Sequence, residues 1–170
     1  MKKKIIYIIV FVIITLIGFL GYKTITKINT KEKITVQLQT MPGFNLLSMD
    51  STAFTNRNLN LAQPTVIIFF NSECPHCQYE ATAIGENINA FAHVNLLMMS
   101  VEPLAKIKAF ATDYRLDMPK EIHLTQIREA VVFDTFGSIS VPHIFIYNQQ
   151  QKLVKEFKGE VKIEAILKYL

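Results

Sequence analysis

Cysteine is scarce in this chain: there are two among 170 residues, Cys74 and Cys77, three positions apart. Two cysteines that close cannot staple distant parts of a fold, which excludes a disulfide-rich scaffold. No third cysteine exists to carry a lipid, which argues against a lipoprotein anchor. Internal repeats and low-complexity segments are also missing. The globular part lacks basic charge as well, although the formal net charge is +4. Residues 1–33 hold seven lysines against one acid, Glu32, whereas the remainder holds 11 basic and 13 acidic residues and is net −2. A nucleic-acid-binding domain wants a basic stripe on the domain itself. The lack of one removes nucleic acid as the expected partner.

Charge is absent altogether from Ile5 to Tyr22. Eighteen helical residues span roughly 27 Å, close to the hydrocarbon thickness of a bilayer. A cleaved signal peptide would share the lysine-rich start, but this apolar run exceeds an ordinary h-region, and Thr24-Ile25-Thr26 is a poor cleavage site. The expectation is an uncleaved single-pass anchor over residues 1–23. Lysines flank it on both sides, with Lys2, Lys3 and Lys4 the denser group, which favours an N-terminus inside. The rest of the chain then lies on the extracytoplasmic side of a bacterial cytoplasmic membrane, where dithiols have regular work. A polar linker is expected over residues 24–40, with a strand near Thr35-Val36-Gln37-Leu38 burying Val36 and Leu38 on one face. A single domain follows over residues 41–170.

Within that domain, Phe44 to Phe54 reads as a hairpin turning near Asp50-Ser51. Thr65 to Phe70 is a continuous β-branched and aromatic run, the pattern of a strand buried on both faces. A helix is expected from Pro75 to about Phe91, a second buried strand over Asn95 to Ser100 and a helix over Pro103 to Tyr114. A short strand at Ile122 to Thr125, a helix at Ile127 to Phe136, strands at His143 to Tyr147 and Leu153 to Phe157, and an amphipathic helix at Val161 to Tyr169 complete the pass. Strands alternating with helices and closing on a hairpin plus helix predict an α/β fold with a central mixed sheet flanked by helices. Phe110, Phe133 and Phe136 fall at helical core spacing, and His93 and His123 read as surface or loop residues.

Cys74-Pro75-His76-Cys77 sits where a buried strand ends and a helix begins. Cys74 is thereby placed at the cap and Cys77 one turn in. Pro75 suits the first helical position, where its missing N–H would have had no partner. The unpaired N–H groups and the positive end of the helix favour a thiolate at Cys74. His76, when protonated, would add positive charge beside the sulfur. Cys74 is then the attacking nucleophile and Cys77 resolves the mixed disulfide. The competing readings are half of a zinc site and an inert pair. A structural zinc site normally needs four ligands, and only His76, His93, His123 and His143 could complete one.

These residues resemble the thioredoxin superfamily, and within it the membrane-anchored TlpA-like branch. The resemblance runs from Phe44 to Leu170. It rests on Phe69-Phe70-Asn71-Ser72-Glu73-Cys74-Pro75-His76-Cys77, on Glu80 one turn on, and on Phe136-Gly137-Ser138-Ile139-Ser140-Val141-Pro142-His143. It implies a thioredoxin-like fold, with a cis bond before Pro142 against the cysteine pair and the Val141 backbone pairing with a substrate strand. It also implies a thiol-disulfide oxidoreductase with protein substrates, a membrane redox partner and no cofactor. The long interval from Cys77 to Pro142 fits the extra strand–helix unit of the TlpA-like branch. Two features depart from the pattern. Thioredoxins carry a buried acid on the strand before the motif, and Val66 to Phe70 holds none. Proton transfer at Cys77 needs another group, for which Glu80 is the candidate, against the plainer reading of a solvated helix residue. Pro75-His76 and Val141 resemble strongly oxidising periplasmic oxidoreductases, whereas TlpA-like scaffolds often reduce, so the direction of electron flow stays open.

Two further functions compete. A copper- or zinc-handling protein would use Cys74, Cys77 and a histidine such as His143, although copper chaperones on this fold space their cysteines one residue wider. A thiol peroxidase would carry Thr or Ser three residues before the reactive cysteine, where this chain has Asn71.

Overall fold

The computed structural model describes residues 2–170, except for the side chains of residues 2–6, 8–12 and 14. The chain divides into two units between Val36 and Gln37. The first is one helix, α1 (Lys2–Gln37). It covers residues 24–37 of the segment expected as a linker over 24–40, and most of the strand expected at Thr35 to Leu38. The physical reason is that no glycine or proline interrupts residues 22–41, and lysine, glutamate, glutamine and isoleucine sustain a helix. Its threonines bond back to the preceding turn, as Thr24 Oγ1 does to the Leu20 carbonyl at 2.9 Å and Thr30 Oγ1 to that of Thr26 at 2.9 Å. Val36 is exposed and Leu38 buried, so the two do not share a face as strand neighbours would. Among the described residues no helix is long and apolar enough to cross a membrane. Much of the span expected at Ile5–Tyr22 falls on side chains outside the description.

The second unit is a seven-stranded mixed sheet. Its strands are β1 (Asn45–Ser48), β2 (Ala53–Thr55), β3 (Thr65–Phe69), β4 (Asn95–Ser100), β5 (Ile122–Gln126), β6 (His143–Tyr147) and β7 (Leu153–Lys158). The order across the sheet is β2-β1-β5-β4-β3-β6-β7. β3, β4 and β5 run parallel, while β6 lies antiparallel to β3 and β7 antiparallel to β6. The hairpin β1–β2 adds to β5 and turns through Asp50. There the Asp50 carboxylate accepts hydrogen bonds from Ser48 and Thr52, which hold it down at a pKa of about 2. All residues of β3 and β4 are buried, as an apolar run without alternation requires of central parallel strands.

Side chains alternate across the sheet. Val66, Ile68, Leu96, Met98, Ile144 and Ile146 form one face and pack with α2 (Pro75–Glu86), α3 (Leu104–Asp113) and α5 (Ile163–Leu167) through Cys77, Ile84, Ile107, Phe110, Ile163 and Ile166. On the other face, α4 (Glu129–Phe136) brings Phe136 against Phe69 at 4.8 Å and Phe145 at 5.5 Å between ring centroids. Phe110 and Phe136 are core residues as expected, but Phe133 is exposed, because the eight-residue α4 turns only its last aromatic inward. Helix α2 ends at Glu86, short of Phe91, and a 3-10 turn at Ile88–Phe91 completes the path. Gly85 permits that ending, since a Cβ there would lie 2.8 Å from the Tyr114 carbonyl. His123 belongs to β5, half-buried with its ring 5.2 Å from that of Phe54, whereas His93 is exposed.

Candidate active site

Strand β3 delivers the chain to a short turn, Asn71–Glu73, and α2 begins behind it. Cys74 is the N-cap of α2 in an extended conformation, with Pro75 at the first helical position. The turn is held from three directions. The Cys74 N–H donates to the Asn71 carbonyl at 3.1 Å, and the Glu73 N–H to the Asn71 side chain at 2.9 Å. Ser72 donates through its N–H and its hydroxyl to the two oxygens of Glu102, each at 2.7 Å. Gln78 of α2 donates to the Ser72 carbonyl at 2.8 Å. Glu102 lies nearly buried just beyond the end of β4, the strand that neighbours β3. Its part was not legible beforehand. The available signal was an acid two residues after a strand whose centre, Leu96 to Met99, is apolar.

The two cysteines are free thiols in unlike surroundings. Cys74 is half-buried, and its Sγ faces the Val141 carbonyl at 3.8 Å. The Val141–Pro142 bond is cis, Pro142 is buried, and Val141 is partly exposed. Cys77 is buried on the inner face of α2. Burial pushes its thiol up to about 12, opposed by a hydrogen bond from the Asn71 backbone and assisted by the nearby Cys74 and Glu80.

Glu80 is not a solvated helix residue. It is 1% exposed, three residues after Cys77 on the buried face of α2, and neither carboxyl oxygen has a hydrogen-bond partner among the described residues. The Val161 backbone lies near it. Desolvation, and next the charge of Glu160, push its carboxyl up to about 8, so it is protonated at neutral pH. Helical periodicity carried the information in part: positions 77, 80, 81 and 84 make one buried stripe.

His76 is placed otherwise than expected. It is largely exposed, and its Nδ1 meets Glu160 at 2.8 Å instead of turning to the sulfur of Cys74. Glu160 lies 84 residues downstream, in the turn between β7 and α5, where no local pattern marks it. His143 is spent elsewhere. It is buried, stacked on Phe145, and its Nε2 is bonded to Glu156 at 2.8 Å. Burial holds its imidazole below the ordinary range, with Glu156 opposing. Among the described residues no three His, Cys, Asp or Glu side chains are grouped to hold a metal ion. Beside Val141 runs a groove of about 260 Å³ whose walls combine apolar side chains, such as Phe69, Val132 and Ile139, with the polar Ser100, Glu129 and Ser138.

A half-exposed cysteine at a helix cap, a buried second cysteine one turn on, and a cis-proline loop across from the first define a thioredoxin-like protein. The chain belongs to the AhpC/TSA family, whose pattern matches residues 38–156. Over 173 aligned residues it is 21% identical to the thiol-disulfide oxidoreductase ResA of Bacillus thuringiensis subsp. konkukian, a match covering 100% of this chain and 97% of that one. It is also similar to a secreted Mycobacterium tuberculosis disulfide oxidoreductase homologous to E. coli DsbE, with a TM-score of 0.64 and 15% identity over 78% of this chain and 95% of the other. A peroxiredoxin-like protein from Aquifex aeolicus superposes with a TM-score of 0.63 at 12% identity over 76% of this chain and 82% of its own.

Proposed function

We propose that this chain is a membrane-tethered thiol-disulfide oxidoreductase that exchanges disulfides with extracytoplasmic proteins through Cys74 and Cys77. The observation that carries the reading is the asymmetry of the pair. Cys74 stands accessible at the helix cap opposite Val141, and Cys77 lies buried behind it. In the reducing direction, the Cys74 thiolate attacks a substrate disulfide, forming a mixed disulfide and releasing one substrate thiolate. Cys77 then loses its proton and attacks the Cys74 sulfur. The second substrate thiolate leaves, and the Cys74–Cys77 disulfide remains. The oxidising direction is the reverse, and the potential of a membrane redox partner selects between them.

Cys77 is hard to ionise where it lies, so a base near it matters. Glu80, in its ionised form, takes that proton and returns it when Cys77 is the leaving group. The backbone at Val141 offers an edge for an extended substrate segment, and the adjoining groove has room for the side chains of one. The tether rests on the charge-free run at Ile5–Tyr22. It rests also on the exposed apolar side chains of α1, such as Leu16, Ile17, Phe19 and Leu20.

Cys77→Ser should trap mixed disulfides with envelope proteins, visible on non-reducing gels, and Cys74→Ser should abolish them. A Cys77→Ser protein that captures nothing would sink the reading. A membrane-impermeant maleimide should label Cys74 in intact cells; protection of Cys74 until lysis would place the domain inside instead. Glu80→Gln should slow resolution of the mixed disulfide about 10- to 100-fold while leaving its formation unchanged.

Peroxide reduction is the second reading, favoured by the family match. Against it stands Asn71, whose side chain accepts the Glu73 N–H and so structures the turn instead of offering a hydroxyl to peroxide. Turnover of hydrogen peroxide by the purified chain, compared with reduction of an insulin disulfide, separates the two.

A further inference from the structure

The turn that delivers Cys74 leaves β3 beside the end of β4, where the Phe70 N–H still bonds the Met99 carbonyl at 3.0 Å. That end of β4 carries a polar cluster in an otherwise apolar stretch of sheet. Ser100 and Glu102 are both nearly buried. The Ser100 hydroxyl donates to Glu102 Oε2 at 3.2 Å and accepts the Glu102 N–H at 3.2 Å. Gln126, the last residue of β5, donates to the Glu102 carbonyl at 2.9 Å. A buried carboxyl group is unfavourable unless its oxygens are bonded. Those of Glu102 meet a single residue of the turn: the Ser72 N–H donates to Oε2 and the Ser72 hydroxyl to Oε1, each at 2.7 Å. Ser72 is also held from α2, since its carbonyl accepts the Gln78 side chain at 2.8 Å. Lys106, in the first turn of α3, lies 3.9 Å from Glu102 Oε1 and pairs with Glu73.

We propose that Glu102 is a positioning residue of the exchange site: bonded to both the backbone and the hydroxyl of Ser72, it keeps the Cys74 sulfur in register with the Val141–Pro142 loop. The proposal rests on the reading above, in which Cys74 attacks a disulfide docked along the Val141 backbone. Ser72 stands two residues before Cys74, so the double bond to Glu102 ties the nucleophile to β4 as well as to its own helix. Alignment matters because the thiolate attacks along the axis of the disulfide. The Cys74 Sγ bonds to the nearer sulfur, the old sulfur–sulfur bond breaks, and the farther sulfur leaves as a thiolate. A docked polypeptide cannot turn freely to meet a displaced sulfur, which here lies 3.8 Å from the Val141 carbonyl. A small alkylating reagent has no second contact to keep and meets the same sulfur from many directions. The hold on Ser72 acts through hydrogen bonds and not through charge. A glutamine amide could make both contacts, its oxygen accepting the N–H and its nitrogen donating to the hydroxyl.

The test compares two reactions of Cys74 in the full chain in detergent micelles, with Cys77→Ser as the background so that one thiol reacts. The first is exchange with a short extended peptide whose cysteine is disulfide-bonded to thionitrobenzoate, read by release of the coloured thiolate. The second is alkylation by iodoacetamide. The ratio of the two rates should fall about tenfold in Glu102→Ala, and Glu102→Gln should recover most of that loss. A merely structural role would lower the urea midpoint and leave the ratio where it is. A ratio in Glu102→Ala within about twofold of the background protein would overturn the proposal. So would a loss in Glu102→Gln as large as in Glu102→Ala, which would mean that charge and not position matters. If Glu102→Ala does not fold, Ser72→Ala decides, because it keeps the backbone bond and loses only the hydroxyl one. Its ratio should fall about threefold, and an unchanged ratio would overturn the proposal. The ratio reports the alignment of Cys74 and not what it captures in cells. Its failure is therefore separate from that of the exchange reading, which the trapping experiment decides.

Discussion

His76 lies between the two cysteines in sequence, yet its ring is paired with Glu160 and not with sulfur. An imidazolium beside Cys74 would stabilise the thiolate, favour the reduced form and raise the potential. Its loss should therefore lower the potential. With Glu160 offsetting that charge, His76→Ala should lower it by less than about 30 mV, the equivalent of 1.4 kcal/mol for a two-electron couple. Equilibration of wild type and variant with glutathione measures this, and a drop beyond twice that value would mean that the ring acts on the sulfur directly. Glu80 makes a prediction about stability. Its folded-state pKa of about 8 lies above the ordinary carboxyl value of 4.5, so the folded protein binds more protons than the unfolded one between those limits. The contribution of Glu80 is thus greatest below pH 4.5 and is lost progressively as pH rises to about 8. Glu80→Gln, always neutral, should match wild type near pH 4 and exceed it by on the order of 5 kcal/mol at pH 9. Urea denaturation at four pH values would reveal the trend; a constant difference would mean that Glu80 ionises freely in the folded protein.

Helix α2 depends on both of its ends. At its start, the Asn71–Glu73 turn is tied to Glu102 and Gln78, which sets Cys74 opposite Val141. At its finish, Gly85 lets the helix approach the end of α3 so closely that an added Cβ would meet the Tyr114 carbonyl at 2.8 Å. That neighbour is backbone and cannot rotate away. Gly85→Ala should destabilise the domain by about 1–3 kcal/mol, seen as a lower urea midpoint, despite the better helix propensity of alanine. The alkylation rate of Cys74 in the folded variant should stay at the wild-type value, because the strain lies three turns from the cap. Strands were legible wherever burial on both faces made them continuous, as in β3 and β4. The expected strand at Thr35 to Leu38 was not one, because a four-residue alternation carries less weight than an uninterrupted helical stretch feeding into it.

At the scale of the whole molecule, a highly apolar N-terminal segment is joined to a mildly acidic domain. The two are compact separately, dividing at Val36 and Gln37. The proposed tether predicts that the full chain stays with the membrane pellet after alkaline carbonate extraction, and that its N-terminus is intact. Release into the supernatant, or a mature N-terminus beyond residue 21, would reduce the segment to a leader.

The sequence alone determined the order of strands and helices, the placement of Cys74 at a helix start, and Pro142 as the residue opening a late strand. Each depends on local periodicity, on strand-to-helix punctuation or on a short motif, and all of these are written in neighbouring residues. The tertiary structure decided the rest. Whether Glu80 is wet or dry depends on how the folded chain packs over the buried face of α2. Whether His76 serves the sulfur or a carboxylate depends on a partner 84 residues away. Glu102 fixes Ser72 from the end of the neighbouring strand β4, and Phe133 turns outward although its spacing matched the core. Charge and burial are set by whatever surrounds a group in space, and long-range contacts bring most of those surroundings from parts of the chain that local patterns do not see.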